Sequence, residues 1–198
     1  MPGRRSTPLT RIEIVEAAIR LIGAQGIAAL TTTALAKELG VSSGAPFRHF
    51  ASRDEILEAV AERVVEIIGA VFPDEGLSPL ERLSWLFLAR TSVLSKNPGV
   101  ARLIFSDQFT KALPTKAAVS IRSLIKRTRE FLLRLLQDGA ERGDIRRDIA
   151  PADLLLPVIG TLQHLAFLSA LRQDGARFPG SDPEHVLGTL LKLLRPQA

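Results

Sequence analysis

Apolar residues recur along the chain at three- and four-residue spacing, and no segment sustains an alternation of period two. That is the pattern of amphipathic helices, so an all-α chain of about nine helices is expected. The first opens at Thr10-Arg11-Ile12-Glu13, where a hydroxyl and a carboxylate three positions on each satisfy an unpaired backbone N–H. Its apolar stripe is Ile12, Val15, Ile19 and Ile22, and Gly26 suits a left-handed stop. Any of Thr31, Thr32 and Thr33 can cap a short helix over 34–39, which Gly40 ends. Val41-Ser42-Ser43 restarts a helix expected to reach about Phe50. Ser43 is favoured as its N-cap, because Pro46 then falls in the first turn, where a missing N–H costs little. Ser52-Arg53-Asp54-Glu55 is a second capping box, opening a helix through Ile56, Val60, Val64, Ile67 and Ile68.

Pro73-Asp74-Glu75-Gly76 marks a solvated turn. Helices are expected beyond it over 79–95, 100–109, 114–143, 151–173 and 183–194, with a polar connection at 143–148. The penultimate helix is apolar over more than one face, through Leu155, Val158, Ile159, Leu162, Leu165, Phe167 and Leu168, so it has to bury surface on two sides. Val186, Leu187, Leu190, Leu191 and Leu194 do the same for the last.

Composition narrows the functions. With 46% hydrophobic residues and no apolar run near the roughly 18 residues a membrane span needs, a soluble, cytoplasmic protein without a membrane partner is expected. The first ten residues lack the apolar segment of a signal peptide. The absence of cysteine excludes a disulfide framework, a thiolate nucleophile and a zinc finger, and His49, His164 and His185 are too scattered for a metal cluster. No nucleophile, histidine and carboxylate converge in a readable motif, so neither an enzyme nor a cofactor is expected. The net charge of +5 suits a nucleic-acid partner, and seven basic residues stand against three acidic ones between Met1 and Arg53. Lys126, Arg127, Arg129 and Arg134 read as solvated surface.

Two short helices joined by a glycine turn, the second starting at a serine, form a helix-turn-helix. The string Thr31-Thr32-Thr33-Ala34-Leu35-Ala36-Lys37-Glu38-Leu39-Gly40-Val41-Ser42-Ser43-Gly44-Ala45-Pro46-Phe47-Arg48-His49-Phe50, continuing through Ser52-Arg53-Asp54-Glu55-Ile56-Leu57, resembles the signature of the TetR family of transcriptional regulators. The resemblance is strong over the N-terminal quarter and rests elsewhere on helix count and length. It implies a DNA-binding domain over 1–56 and a helical ligand-binding and dimerisation domain over 57–198.

Gly44 lets the recognition segment approach the duplex closely, Ser42 or Ser43 donates to phosphate or base, and Ala45 offers a methyl to thymine. By resemblance Phe47, Arg48 and His49 face the DNA, Phe50 packs the core, and Arg53, with Thr32 or Thr33, grips phosphate. Phe47 stands where Tyr is usual and Pro46 where an ordinary helix former is expected. Arg4 and Arg5 precede the first helix as a candidate minor-groove arm.

The family resemblance further implies a homodimer on a palindromic double-stranded operator, released by a small-molecule effector. Its interface would use Leu155, Ile159, Leu162, Leu187, Leu190, Leu191 and Leu194. Candidates for the effector cavity are Trp85, Ala89, Ser92, Phe105, Gln108, Phe109 and Phe131, with Gln163, His164 and Phe167. Gln163 and His164 face either that cavity or the partner. A same-fold protein regulated by a protein or nucleotide is the alternative.

Overall fold

The structure, a computed structural model, describes residues 8–104, 106–171 and 180–197. Nine α-helices run through these residues: α1 (Arg11–Gln25), α2 (Thr32–Leu39), α3 (Arg53–Gly69), α4 (Pro79–Lys96), α5 (Pro98–Ile104), α6 (Asp107–Ala112), α7 (Thr115–Arg142), α8 (Pro151–Leu171) and α9 (Pro183–Leu194). No strand occurs among the described residues. The count agrees with expectation, but two elements differ. The stretch 43–50 holds only a 3₁₀ turn over Pro46–Arg48, and the helix expected over 100–109 is two helices. Ser106 makes that break: its backbone is extended, and its hydroxyl accepts the Phe109 N–H at 3.1 Å to cap α6.

Packing divides the chain into two units that interleave along the sequence, Met1–Glu66 with Pro98–Arg122, and Ile67–Asn97 with Ser123–Ala198. In this division α5, α6 and the start of α7 group with the N-terminal helices. Glycines let α1 and α5 approach. A Cβ on Gly23 would lie 2.6 Å from the Gly99 Cα, and one on Gly99 would lie 2.9 Å from the Ile19 carbonyl oxygen. The buried residues of this unit include Ile14, Ala18 and Ile22 of α1, Leu35 of α2, Phe50, and Ile56, Val60 and Val64 of α3. Ile12 is 70% exposed, contrary to the expected stripe. The buried face centres on Ala18, and Ile12 lies about 120° around the helix from it.

In the second unit, α4, α7, α8 and α9 enclose a core that includes Leu83, Phe87, Leu132, Leu136, Val158 and Leu190. The connection at 143–148 serves as a double helix cap. Arg147 donates to the carbonyls of Ala140 and Glu141 at 2.6 and 2.7 Å, and the Arg146 N–H donates to Leu194 at 2.7 Å. Cationic and N–H donors thereby meet the negative ends of α7 and α9.

Candidate nucleic-acid interface

Each part of the motif is held by a local device. At the start of α1, the Thr10 N–H donates to Glu13 Oε2 at 2.9 Å while the Glu13 N–H donates to Thr10 Oγ1 at 3.2 Å, completing the expected capping box. Of the three threonines, Thr31 is the cap of α2, its hydroxyl accepting the Ala34 N–H at 3.1 Å. Thr32 and Thr33 are left exposed in the first turn, where the helix end is partly positive and attracts phosphate. Gly40 ends α2 at φ 64°, a left-handed conformation that favours glycine. The Val41 N–H reaches back to the Ala36 carbonyl at 3.0 Å, so α2 closes in a Schellman turn.

The recognition segment departs from expectation. The Ala45 N–H donates to Ser42 at 3.0 Å, but Pro46 has no N–H to continue the ladder. A 3₁₀ turn follows, with His49 and Phe50 both donating to the Pro46 carbonyl at 3.1 and 3.2 Å. No side chain caps this turn, so Ser43 is not the N-cap it was expected to be. Ser43, Gly44 and Arg48 are exposed, Ala45, Phe47 and His49 are partly covered, and Pro46 and Phe50 are buried. Around Gly44 a Cβ would meet no atom within 4 Å, and its φ is not positive, so nothing inside the protein requires glycine there.

Three residues fix this segment against α1 and α3. The Arg11 guanidinium lies 4.0 Å over the Phe50 ring, donates to the His49 carbonyl and pairs with Glu55 at 3.1 Å. Glu55 accepts the Ala51 N–H at 2.6 Å, while its own N–H donates to Ser52 Oγ at 3.1 Å. The second capping box is thus shifted, its carboxylate returning to Ala51. That bond first, and Arg11 second, hold the Glu55 carboxyl below its ordinary range.

Arg53, expected on phosphate, is exposed but donates to the carbonyls of Leu30 at 3.1 Å and Ile27 at 2.9 Å. It thereby secures the loop that leads into Thr31. With Phe47, Thr31, Thr32 and Leu35 it also lines a half-open cleft of about 410 Å³. Arg4 and Arg5 lie outside the described residues.

The effector and interface candidates separate by burial. Phe105 lies outside the described residues. Phe109 is buried, and Ala89, Phe131 and Phe167 are partly so. Trp85, Ser92, Gln108, Gln163 and His164 are exposed. Leu162, Leu187, Leu190 and Leu194 are committed to the core of the second unit, while Leu155, Ile159 and Leu191 are only partly covered. The sequence reading missed Leu156, 76% exposed, and Leu193, 58% exposed. It also missed Arg11, whose position beside the cap carries no periodic signal.

A capped α2, a left-handed glycine turn and an exposed segment of Ser43, Gly44 and Arg48 define an all-helical helix-turn-helix protein. Residues 14–60 match the family model for bacterial regulatory proteins of the tetR family. The repressor KstR2 of Mycobacterium tuberculosis is 26% identical over 142 residues, 70% of each chain. The nucleoid occlusion factor SlmA of Marinobacter nauticus is 27% identical over 201 residues, covering 91% of this chain and 93% of its own. The solved KstR2 structure superposes with a TM-score of 0.81 at 21% identity over 98% of both chains. AibR, solved with isovaleryl coenzyme A and operator DNA, gives 0.74 at 16% identity over 93% of this chain and 97% of its own. Over residues 14–60 the chain matches the tetR family of bacterial regulatory proteins, and it is a DNA-binding transcriptional regulator.

Proposed function

We propose that the protein works as a homodimeric repressor, seated on a palindromic operator and released by a small-molecule effector. The observation that carries the dimer is the uncovered apolar surface of α8 and α9. Alone among the described helices, α8 is long and apolar enough to cross a membrane by length and composition, yet only 28% of its most apolar window is buried. Leu156 and Leu193 stand clear of the protomer core, with Leu155 and Ile159 half-covered, and a two-fold partner presenting the same surface would bury them. Gly160 and Gly188 leave open space on these helices, which suits close approach of a second pair.

Two copies place two recognition segments on one duplex, so the operator is expected to be palindromic, with half-sites a helical turn or a multiple of it apart. Thr32, Thr33, Ser43, Gly44 and Arg48 supply exposed donors and a close-approach point for each half-site. Control by a small molecule is supported by AibR, solved in complex with isovaleryl coenzyme A and operator DNA. SlmA, a nucleoid occlusion factor, favours the second reading, control by a protein partner.

Light scattering and footprinting on a selected operator test the main reading. A dimer mass with a symmetric footprint, lost on adding an effector, is the expected result. A monomer, or protection without sequence preference at moderate salt, overturns it.

A further inference from the structure

We propose that Arg82, Arg90 and Arg127, gathered around the rings of Phe72 and Phe131 in the second unit, form a receptor for an oxyanion, a carboxylate or phosphate, carried by the effector. This rests on the reading that a small molecule controls the protein, and adds the chemistry that molecule must have.

Arg90 is only 7% exposed, and a buried cation ordinarily carries a carboxylate beside it. Here its partners are neutral: the Val71 carbonyl at 3.3 Å, the Thr128 hydroxyl at 3.5 Å and the face of Phe72 at 5.0 Å. Arg127 sits over the same ring at 4.2 Å, adding like charge where an anion would be expected. Burial first, and Arg127 second, bring the Arg90 guanidinium down to about 10.

The neighbouring ring repeats the arrangement. Phe131 meets Phe72 edge to face at 5.4 Å between centroids, and the Arg82 guanidinium lies 5.0 Å over it. The Nε of Arg82 is buried without a hydrogen-bond partner among the described residues. No ion pair joins any of the three arginines to a carboxylate among the described residues.

Aromatic faces offset part of the cost of burying a guanidinium, but they accept no hydrogen bond in the plane where its N–H groups point. A bound oxyanion would supply that acceptor, neutralise like charges and turn each contact into a charge-assisted hydrogen bond. Arg127 is exposed, so an anion has a route from solvent, and the two rings offer apolar walls to the group attached to it.

Calorimetric titration of the full-length protein with decanoate, decyl phosphate and decanol, each below its micellar concentration, tests the site. Both anions are expected to bind at least about tenfold more tightly than decanol, the scale of one charge-assisted contact. Their relative affinities distinguish a carboxylate from a phosphate ligand. Arg90→Met and Arg127→Gln are expected to bring the anions down towards decanol while leaving decanol unchanged. Arg127→Gln, on an exposed side chain, keeps the test valid should Arg90→Met misfold by circular dichroism. Equal binding of decanol and the anions, no binding by any of the three at millimolar concentration, or undiminished anion affinity in the folded variants overturns the proposal. Anion binding that needs the arginines but leaves operator affinity unchanged upholds the site and removes the release reading instead.

Discussion

The guanidinium of Arg11 lies 4.0 Å above the ring of Phe50, joining the first turn of α1 to the end of the recognition segment. Through the His49 carbonyl and the Glu55 carboxylate the same side chain also ties down the start of α3. Arg11→Leu is therefore expected to loosen the segment without removing a DNA contact. Operator and non-operator affinity would fall together by about three- to tenfold, the scale of one or two exposed polar contacts. Fluorescence anisotropy on both duplexes checks this, and a loss confined to the operator would refute it.

Glu55 adds a pH signature to that joint. Its carboxyl lies below the ordinary value of 4.5 in the folded protein, chiefly through the Ala51 N–H and then Arg11. A lowered folded value means that the unfolded chain binds the proton more readily. The stabilisation is present above pH 4.5 and is lost as the pH falls through the lower folded value. Glu55→Gln is expected to flatten the acid limb of the melting-temperature profile below about that pH and to leave the neutral limb parallel to wild type. An unchanged acid limb would count against this role.

Gly44 separates folding from binding. A methyl group there meets nothing within 4 Å inside the protein, and the backbone is not left-handed. Gly44→Ala is expected to keep or slightly raise thermal stability, by up to about 1 kcal/mol, because it restricts the unfolded chain. If the glycine exists for close approach to DNA, operator affinity falls about tenfold or more in the same variant. Unchanged affinity would remove Gly44 from the interface.

Arg53 couples the two properties instead. Its fork holds the Leu30 and Ile27 carbonyls, so Arg53→Ala is expected to cost about 1–2 kcal/mol and to loosen the start of α2. Arg53→Lys, with the charge but not the planar fork, is expected to recover little of the melting temperature. Full recovery of both stability and binding by Lys would return Arg53 to a simple phosphate contact.

The differences between sequence and structure have local causes. The helix starts at Thr10 and Ser52 were legible because three-residue spacing reports the capping bond directly, whereas the Ser106 cap of α6 was not read. The recognition segment was legible in place but not in shape. Pro46 looked tolerable in a first turn, yet its missing N–H and an uncapped start leave only a 3₁₀ turn. α8 and α9 are apolar on two faces, and periodicity does not say which face meets the protomer core. Leu162 and Leu190 fell inward, Leu156 and Leu193 outward. Arg127 read as solvated surface, and its exposure agrees, but the ring beneath it comes from Phe72, far off in sequence. A lone arginine within the apolar run of α4, Arg90, was the available signal.

Gly99 tests the grouping of α5 with the N-terminal helices. The close approach of α1 and α5 leaves its would-be Cβ 2.9 Å from the backbone oxygen of Ile19, an atom that cannot swing aside. Gly99→Ala is expected to cost about 1–3 kcal/mol as the helices are forced apart. Because α5 packs with the helix-turn-helix, DNA affinity is expected to fall as well, although residue 99 lies far from the motif in sequence. Lost stability with intact DNA binding would show that α5 does not support the interface.

Leu156 and Leu193 carry the last prediction, that the outer face of α8 and α9 holds two copies together. Neither side chain contributes to the core of the second unit, so charging them leaves the protomer's packing in place. Leu156→Glu combined with Leu193→Glu is expected to shift the sedimentation mass from dimer to monomer, since like charges brought together in an apolar interface cost several kcal/mol. Helical content by circular dichroism is expected to stay at the wild-type level. Operator affinity would drop far more than affinity for a single half-site, because the second recognition segment is no longer tethered to the first. A folded double variant that still sediments as a dimer would place the interface elsewhere.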